Sequence, residues 1–254
     1  MKNDFYVGYL PKAPKRVARF VLIIVLVLFL IGGGMGYFLS FSHRTINNGV
    51  YEFGELTEIT GKLHLDPIPY IRIKEGGIGK NIMLIDFGKF GARSSVEKIR
   101  DAVGGDLDKV DVTIRGTLIY HDGFTLMELT ESENALISFS AGQSEMSVRP
   151  LINKTLKGEI VDPKCYFGSM KPGQSKPHRS CASLCIAGGI PPVLVVPTPE
   201  NTAKYYILKG EDGRDVNQEI LDKIAQSVSV TGMSTKLNEW NILYLEPENI
   251  ILND

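Results

Sequence analysis

Several familiar chemistries are excluded by what the chain does not contain. Its 28 Lys and Arg are balanced by 29 Asp and Glu, for a net charge of −1, and no basic stripe gathers them. Nucleic-acid binding, which depends on clustered cations neutralising phosphates, is therefore not expected. No G-x-S-x-G, H-E-x-x-H, Walker loop or Rossmann fingerprint occurs, so no catalytic constellation is visible and a non-catalytic role is expected. Cysteine is scarce, with three residues in 254 and neither C-x-x-C nor C-x-x-C-H among them. The oxidoreductase motif and covalent c-type haem are thereby set aside. Long like-charge runs and low-complexity tracts are missing too.

One long apolar run is present. Phe20 to Phe41 carries no charge over about 22 positions, enough to cross a hydrocarbon core of ~30 Å as a helix. Lys12, Lys15, Arg16 and Arg19 precede it and only Arg44 follows closely, so the positive-inside rule puts residues 1–19 in the cytoplasm and everything from about His43 outside. A cleaved signal peptide is the competing reading, opposed by the length of the run and the lack of an A-x-A site. Within the span, Gly32 and Gly36 form a G-x-x-x-G pair that would let another helix pack closely, or else a flexible exit from the membrane. Phe5, Tyr6 and Tyr9 in the tail fit either interfacial anchors or a short docking segment for a partner membrane subunit.

After the span the chain reads as two related halves. Val110 onward is VDVTIRGTLIYHDGFTLMELTE and Val228 onward is VSVTGMSTKLNEWNILYLEPE. Each begins V-x-V-T, runs as a strand, turns, and returns from an aromatic, Phe124 or Trp240; Asp122-Gly123 supplies a tight-turn signal. Upstream of each hairpin stands a helical pattern: Ser94 to Val103, capped by Ser94 or Ser95, and Val216 to Ala225, capped by Asp215. Before each helix lies a strand, Asn81 to Phe87 or Lys204 to Lys209, and at the front further β-runs, Gly54 to Ile59 and Leu156 to Val161. The join falls near Ser140 to Asn153, where Gly142, Gln143, Ser144, Glu145 and Pro150 break the pattern.

This order, with a helix between the third and fourth strands, resembles the five-stranded Greek-key barrel called the OB-fold. The resemblance implies a mostly β chain: two tandem OB-like β-barrels with short helices, at residues 50–138 and 152–252, behind one N-terminal transmembrane helix at 20–41. Copy one joins its first strands through the short His64 to Tyr70 segment, whereas copy two inserts a Cys/His segment there. Function is expected in that insertion rather than in the shared scaffold.

The insertion holds Cys165, His178, Cys181 and Cys185, spaced C-x12-H-x2-C-x3-C. A helix over about Pro177 to Ala187, ended by Gly188-Gly189, puts His178, Cys181 and Cys185 on one face. Three readings stay open. Cys165 could pair with Cys181 or Cys185 in a disulfide worth ~3 kcal/mol, leaving one thiol over. The four side chains could bind zinc in a closed site, or copper with fewer ligands. Or Cys181 or Cys185 could be a redox thiol, activated by His178, Arg179 and the start of the helix. Asp66, Asp86, Asp106, Asp108 and Asp122 read as turn or capping residues, His64 and His121 as surface histidines, and Trp240 as a core aromatic.

The segment is similar to uncharacterised bacterial secreted or periplasmic domains with the pattern V-D-x-x-C-Y, H-x-x-C-A-x-x-C-I and G-G-x-P, filled here by Val161, Asp162, Cys165, Tyr166, His178, Cys181, Ala182, Cys185, Ile186, Gly188, Gly189 and Pro191. The likeness covers about 35 residues and implies a shared local structure without a named activity. The ligand set also resembles that of membrane-anchored copper-delivery chaperones, which have another fold. Anchored OB-fold haem chaperones attach haem through an H-x-x-x-Y element, and no histidine follows His178 here. The expectation is an accessory subunit or assembly factor of a membrane redox complex, in the bacterial inner membrane with its barrels in the periplasm and other integral subunits as partners. A periplasmic metallochaperone or thiol-redox protein is the alternative.

Overall fold

The computed structural model describes residues 13–44, 49–76, 78–130, 135–142, 150–200 and 202–253. Expectations about Phe5, Tyr6, Tyr9 and the join at Gln143, Ser144 and Glu145 fall outside them. The chain divides into two units, Met1–Ile46 and Asn47–Asp254. The first is helix α1 (Lys15–Arg44), in which an 18-residue window of the stretch Lys15–Ser42 has a mean hydropathy of 2.6 and is not buried, so the helix is long and apolar enough to span a membrane. Among the described residues, a Cβ placed at Gly32 or Gly36 would meet no heavy atom within 4 Å.

The second unit is mostly β. Its first half runs β1 (Val50–Tyr51), β2 (Thr57–His64), β3 (Tyr70–Glu75), β4 (Ile78–Ile85), α2 (Arg93–Ala102), β5 (Val110–His121), β6 (Phe124–Leu129) and β7 (Leu136–Ala141). The second half runs β8 (Ile152–Val161), α3 (Ser175–Ala187), β9 (Val193–Pro197), β10 (Ala203–Gly210), β11 (Ser227–Leu237), β12 (Trp240–Leu245) and β13 (Ile250–Leu252). In each half five strands close on themselves: β5-β2-β3-β4-β6 and back to β5, then β11-β8-β9-β10-β12 and back to β11. The third and fifth strands of each barrel run parallel, β4 with β6 and β10 with β12, and all other closing pairs are antiparallel. This is the OB-like strand order, twice.

Residue-level equivalence is deeper than V-x-V-T. Gly116 in β5 and Gly232 in β11 each lie where a Cβ would strike a carbonyl of the returning strand, that of Glu128 or of Tyr244. Only glycine lets the two strands of each hairpin cross this closely. The turn read from Asp122-Gly123 forms as expected, with both residues at positive φ, 53° and 81°.

Three expectations need correction. Neither Ser94 nor Ser95 caps α2, which starts at Arg93 and holds both serines inside it, the buried Ser95 donating its hydroxyl to Asp86 Oδ2 at 2.7 Å. The first strand starts at Thr57, not Gly54, because Glu52 to Glu55 make a turn closed by Glu55 N–H to Glu52 O at 3.0 Å. The helix expected over Val216 to Ala225 is instead a run of turns with one short 3-10 piece, Leu221–Lys223. Its apolar stripe was read correctly, since Val216, Ile220 and Ile224 are fully buried, but they pack beside Ala182 and Ile186 of α3. The inserted helix thus shares the floor of barrel two with them. Asn217 spends its amide on Ile186 O and Ile190 O (2.7 and 2.9 Å), while Asp215 pairs with Lys209 at 2.6 Å instead of capping a helix.

Each barrel has its own core, and a third apolar cluster joins them. Ile68, Met83, Ile119 and Leu126 of barrel one meet Phe167, Tyr205, Ile207 and Trp240 of barrel two. Trp240, a core aromatic as expected, donates its indole N–H to Asn81 O at 3.3 Å, and Asn81 N–H donates to the Glu239 carboxylate at 2.8 Å. The barrels therefore form one compact unit, with the Cys/His insertion at their junction.

Candidate metal and thiol site

At the end of β8 the buried Asp162 folds the chain into a turn by accepting the Lys164 N–H at 2.9 Å, and Tyr166 N–H closes the next step on Asp162 O at 3.0 Å. Cys165 opens a wide turn, Cys165–Ser169, and so stands just past the strand. Helix α3 then begins at Ser175, whose N–H and hydroxyl both donate to Glu159, placing a carboxylate at the positive end of the helix. Its far end is fixed by Asn217. Held this way, the helix directs His178, Ala182, Cys185 and Ile186 inward and leaves Cys181 half-buried at the rim.

The four expected residues do come together, in two overlapping groups. Donor atoms of Cys165, His178 and Cys181 lie within 4.8 Å of one another, and so do those of Asp162, Cys165 and Cys185. Cys165 belongs to both, and the groups do not merge. A single sphere of three thiolates and one imidazole is therefore not preformed.

None of the three cysteines is in a disulfide. Cys165 is instead shared between two neighbours, and its thiol is pushed well up by its hydrogen bond with Cys185, by burial and by the Asp162 charge. Arg179 does not reach the thiols either: its guanidinium donates to Asp222 O at 2.8 Å. Cys181 lies beyond the first turn of α3, where the helix dipole has faded. The cation beside Cys181 is Lys89 of barrel one, with Nζ 3.4 Å from Sγ.

Lys89 sits on a loop that bridges the barrels. Gly91 N–H donates to Gly188 O at 3.0 Å, and Gly88 is held by Lys164 Nζ on its carbonyl (2.6 Å) and by Glu128 on its N–H (3.2 Å). Lys164 and Glu128 also form a buried ion pair of 2.7 Å. Phe87 and Phe90 on this loop, and Leu184 one turn beyond Cys181, are exposed.

Two buried atoms in the cluster have no partner. His178 is 3% exposed with Nε2 unpartnered, and Asp162 is 0% exposed with Oδ2 unpartnered. Such orphans are costly, and a bound cation is one standard remedy. Burial, opposed by Asp162 and reinforced by Lys89, lowers the pKa of His178, so the imidazole is neutral near pH 7, the form that binds a metal. Comparison with known protein families, curated proteins and solved structures finds no match.

Sequence reasoning missed Asp162 and Lys89. Asp162 had a signal, standing three residues before Cys165 in the quoted pattern. Lys89 had none, because it comes from the other barrel. His64 and His121 join neither group; His64 stacks on Tyr70 with ring centres 4.5 Å apart, and His121 packs near Tyr166 and Phe167. Asp106 behaves as read, accepting Asp108 N–H at 3.2 Å, whereas the Asp86 carboxylate accepts the Ser95 hydroxyl at 2.7 Å and caps no helix.

Proposed function

We propose that the chain is a membrane-tethered metal-binding protein that carries a thiophilic ion, Zn²⁺ or Cu⁺, at Cys165, His178 and Cys181, and serves as an assembly factor for a membrane complex. The observation that carries this reading is a buried imidazole that has an unpartnered Nε2 and a ring nitrogen within 4.8 Å of two free thiol sulfurs. Two thiolates and an imidazole suit a soft or borderline ion and leave a coordination position open to exchange. The half-buried Cys181, with Leu184 exposed one turn beyond it and Phe87 and Phe90 exposed on the loop that carries Lys89, is where a protein partner would meet the ion. Location of the barrels outside the cytoplasm, on the periplasmic face of an inner membrane, belongs to the same proposal and rests on the cations before the span.

The test uses the full chain in mild detergent, purified without chelator. Elemental analysis with free-thiol counting under denaturing conditions should find Zn or Cu bound and no disulfide, with His178→Ala losing the ion. An unmetallated protein that binds neither Zn²⁺ nor Cu⁺ after reduction sinks the metal reading. Migration as a lone species in every mild extract sinks the assembly role.

A further inference from the structure

We infer that Asp162, Cys165 and Cys185 form a second, inner zinc site, with Cys165 as the ligand common to it and to the outer group of Cys165, His178 and Cys181. The inference rests on the metal-binding reading above and adds the identity of the ion and the number bound.

Geometry comes first. Donor atoms of one tetrahedral zinc lie about 3.8 Å apart when Zn–S is ~2.3 Å. The two groups share Cys165 but do not collapse into one set within 4.8 Å, so one ion cannot engage all of them as they stand. Each group also owns one orphan: Nε2 of His178 in the outer, Oδ2 of Asp162 in the inner. A single ion at the outer group would leave the fully buried carboxylate still without a counter-charge.

Neighbouring cations do not supply that charge. Lys164 gives its backbone N–H to Asp162 but spends its ammonium on Glu128 and Gly88 O. Lys89 is against Cys181, and Arg179 is turned to Asp222. A buried carboxylate that has one oxygen on a backbone N–H, the other unpartnered and no cation beside it is suited to coordinate a metal. The inner donors are one oxygen and two sulfurs. Zn²⁺ accepts both kinds, whereas Cu⁺ avoids carboxylate and Ca²⁺ or Mg²⁺ avoids thiolate. On binding, each thiol proton leaves to solvent as a Zn–S bond forms, and no electron is transferred.

The experiment titrates Zn²⁺ into the reduced, metal-stripped full chain in detergent and counts ions by native mass spectrometry. Wild type should hold about two Zn²⁺ per chain, Asp162→Asn, Cys185→Ser and His178→Ala about one each, and Cys165→Ser none. Circular dichroism and Trp240 emission check that each variant is folded. A parallel Co²⁺ titration of wild type guards against a misfolded Cys165→Ser: the second equivalent must add thiolate-to-cobalt absorption and quench the paramagnetic signal of the first through the bridging sulfur. A wild type that saturates at one ion, or two ions without magnetic coupling, overturns the shared inner site and leaves the metal-binding reading standing. Failure to bind any ion removes that reading itself.

Discussion

Replacing Lys164 with Met tests whether the buried ion pair at the barrel junction does what its geometry requires. The Lys164 and Glu128 side chains are 9% and 5% exposed, and the ammonium bridges Glu128 Oε1 (2.7 Å) and Gly88 O (2.6 Å). Removing one partner of a buried pair costs ~3–5 kcal/mol because the other charge is left without compensation. Here Glu128 keeps two donors, the Tyr51 hydroxyl at 2.5 Å and Gly88 N–H at 3.2 Å, which puts the expected loss at the low end, about 3 kcal/mol. For a domain of this size that lowers the melting temperature by about 6–12 °C. The assay is thermal unfolding of the full chain in detergent followed by the emission of Trp240, the sole tryptophan, buried at the junction. Adding Glu128→Gln to Lys164→Met removes the stranded charge and should recover most of the loss, since the two residues are coupled. A single variant that melts within about 2 °C of wild type, or a double variant no better than the single, refutes the argument.

Three other outcomes follow from separate parts of the fold. Gly232→Ala drives a methyl into Tyr244 O and should cost about 1–3 kcal/mol in chemical denaturation. Asn217→Ala strips side-chain donors from Ile186 O and Ile190 O at the end of α3, with an expected loss of roughly 2 kcal/mol and faster amide exchange in the last turn of that helix. Burial raises the pKa of Glu239 against the opposing pull of its hydrogen bonds and of Lys80 and Arg72. A raised carboxyl favours the protonated fold, so stability should fall as pH rises from the ordinary glutamate range through the folded pKa. Glu239→Gln should flatten that slope in melts recorded from pH 4 to 8, at about constant ionic strength. A slope unchanged in the variant assigns the dependence elsewhere.

What could be read from the chain was whatever a local pattern encodes. V-x-V-T and Asp122-Gly123 specify hairpins through side-chain period and turn chemistry, and both hairpins form. Val216, Ile220 and Ile224 show the limit of that logic: the stripe identifies buried residues, yet the same spacing is met by turns once α3 packs against them. Periodicity says which side chains leave water, not which neighbour receives them. The same limit hid Lys89. Arg179, two residues from Cys181, looked like the activating cation, but its reach was taken up by Asp222 O, and the charge beside Cys181 arrives from a loop 92 positions away.

That long-range contact explains why the insertion lies between the barrels. Barrel two alone could place Cys165, His178, Cys181 and Cys185, since all four come from β8's exit and α3. It could not cover them. Burial of Cys185 depends on the mixed cluster in which Met83, Ile85 and Ile119 of barrel one meet Phe167 and Ile190, and the rim at Cys181 is completed by Lys89 on a loop tied to Lys164, Glu128 and Gly188. Desolvation lowers the pKa of His178, and the hydrogen bond with Cys185 together with burial raises the Cys165 thiol, so both shifts draw on the packing of the docked pair. Duplicating a barrel supplies a second wall for a reactive segment that a single small barrel would leave wet, and the buried ion pair fixes where that wall stands.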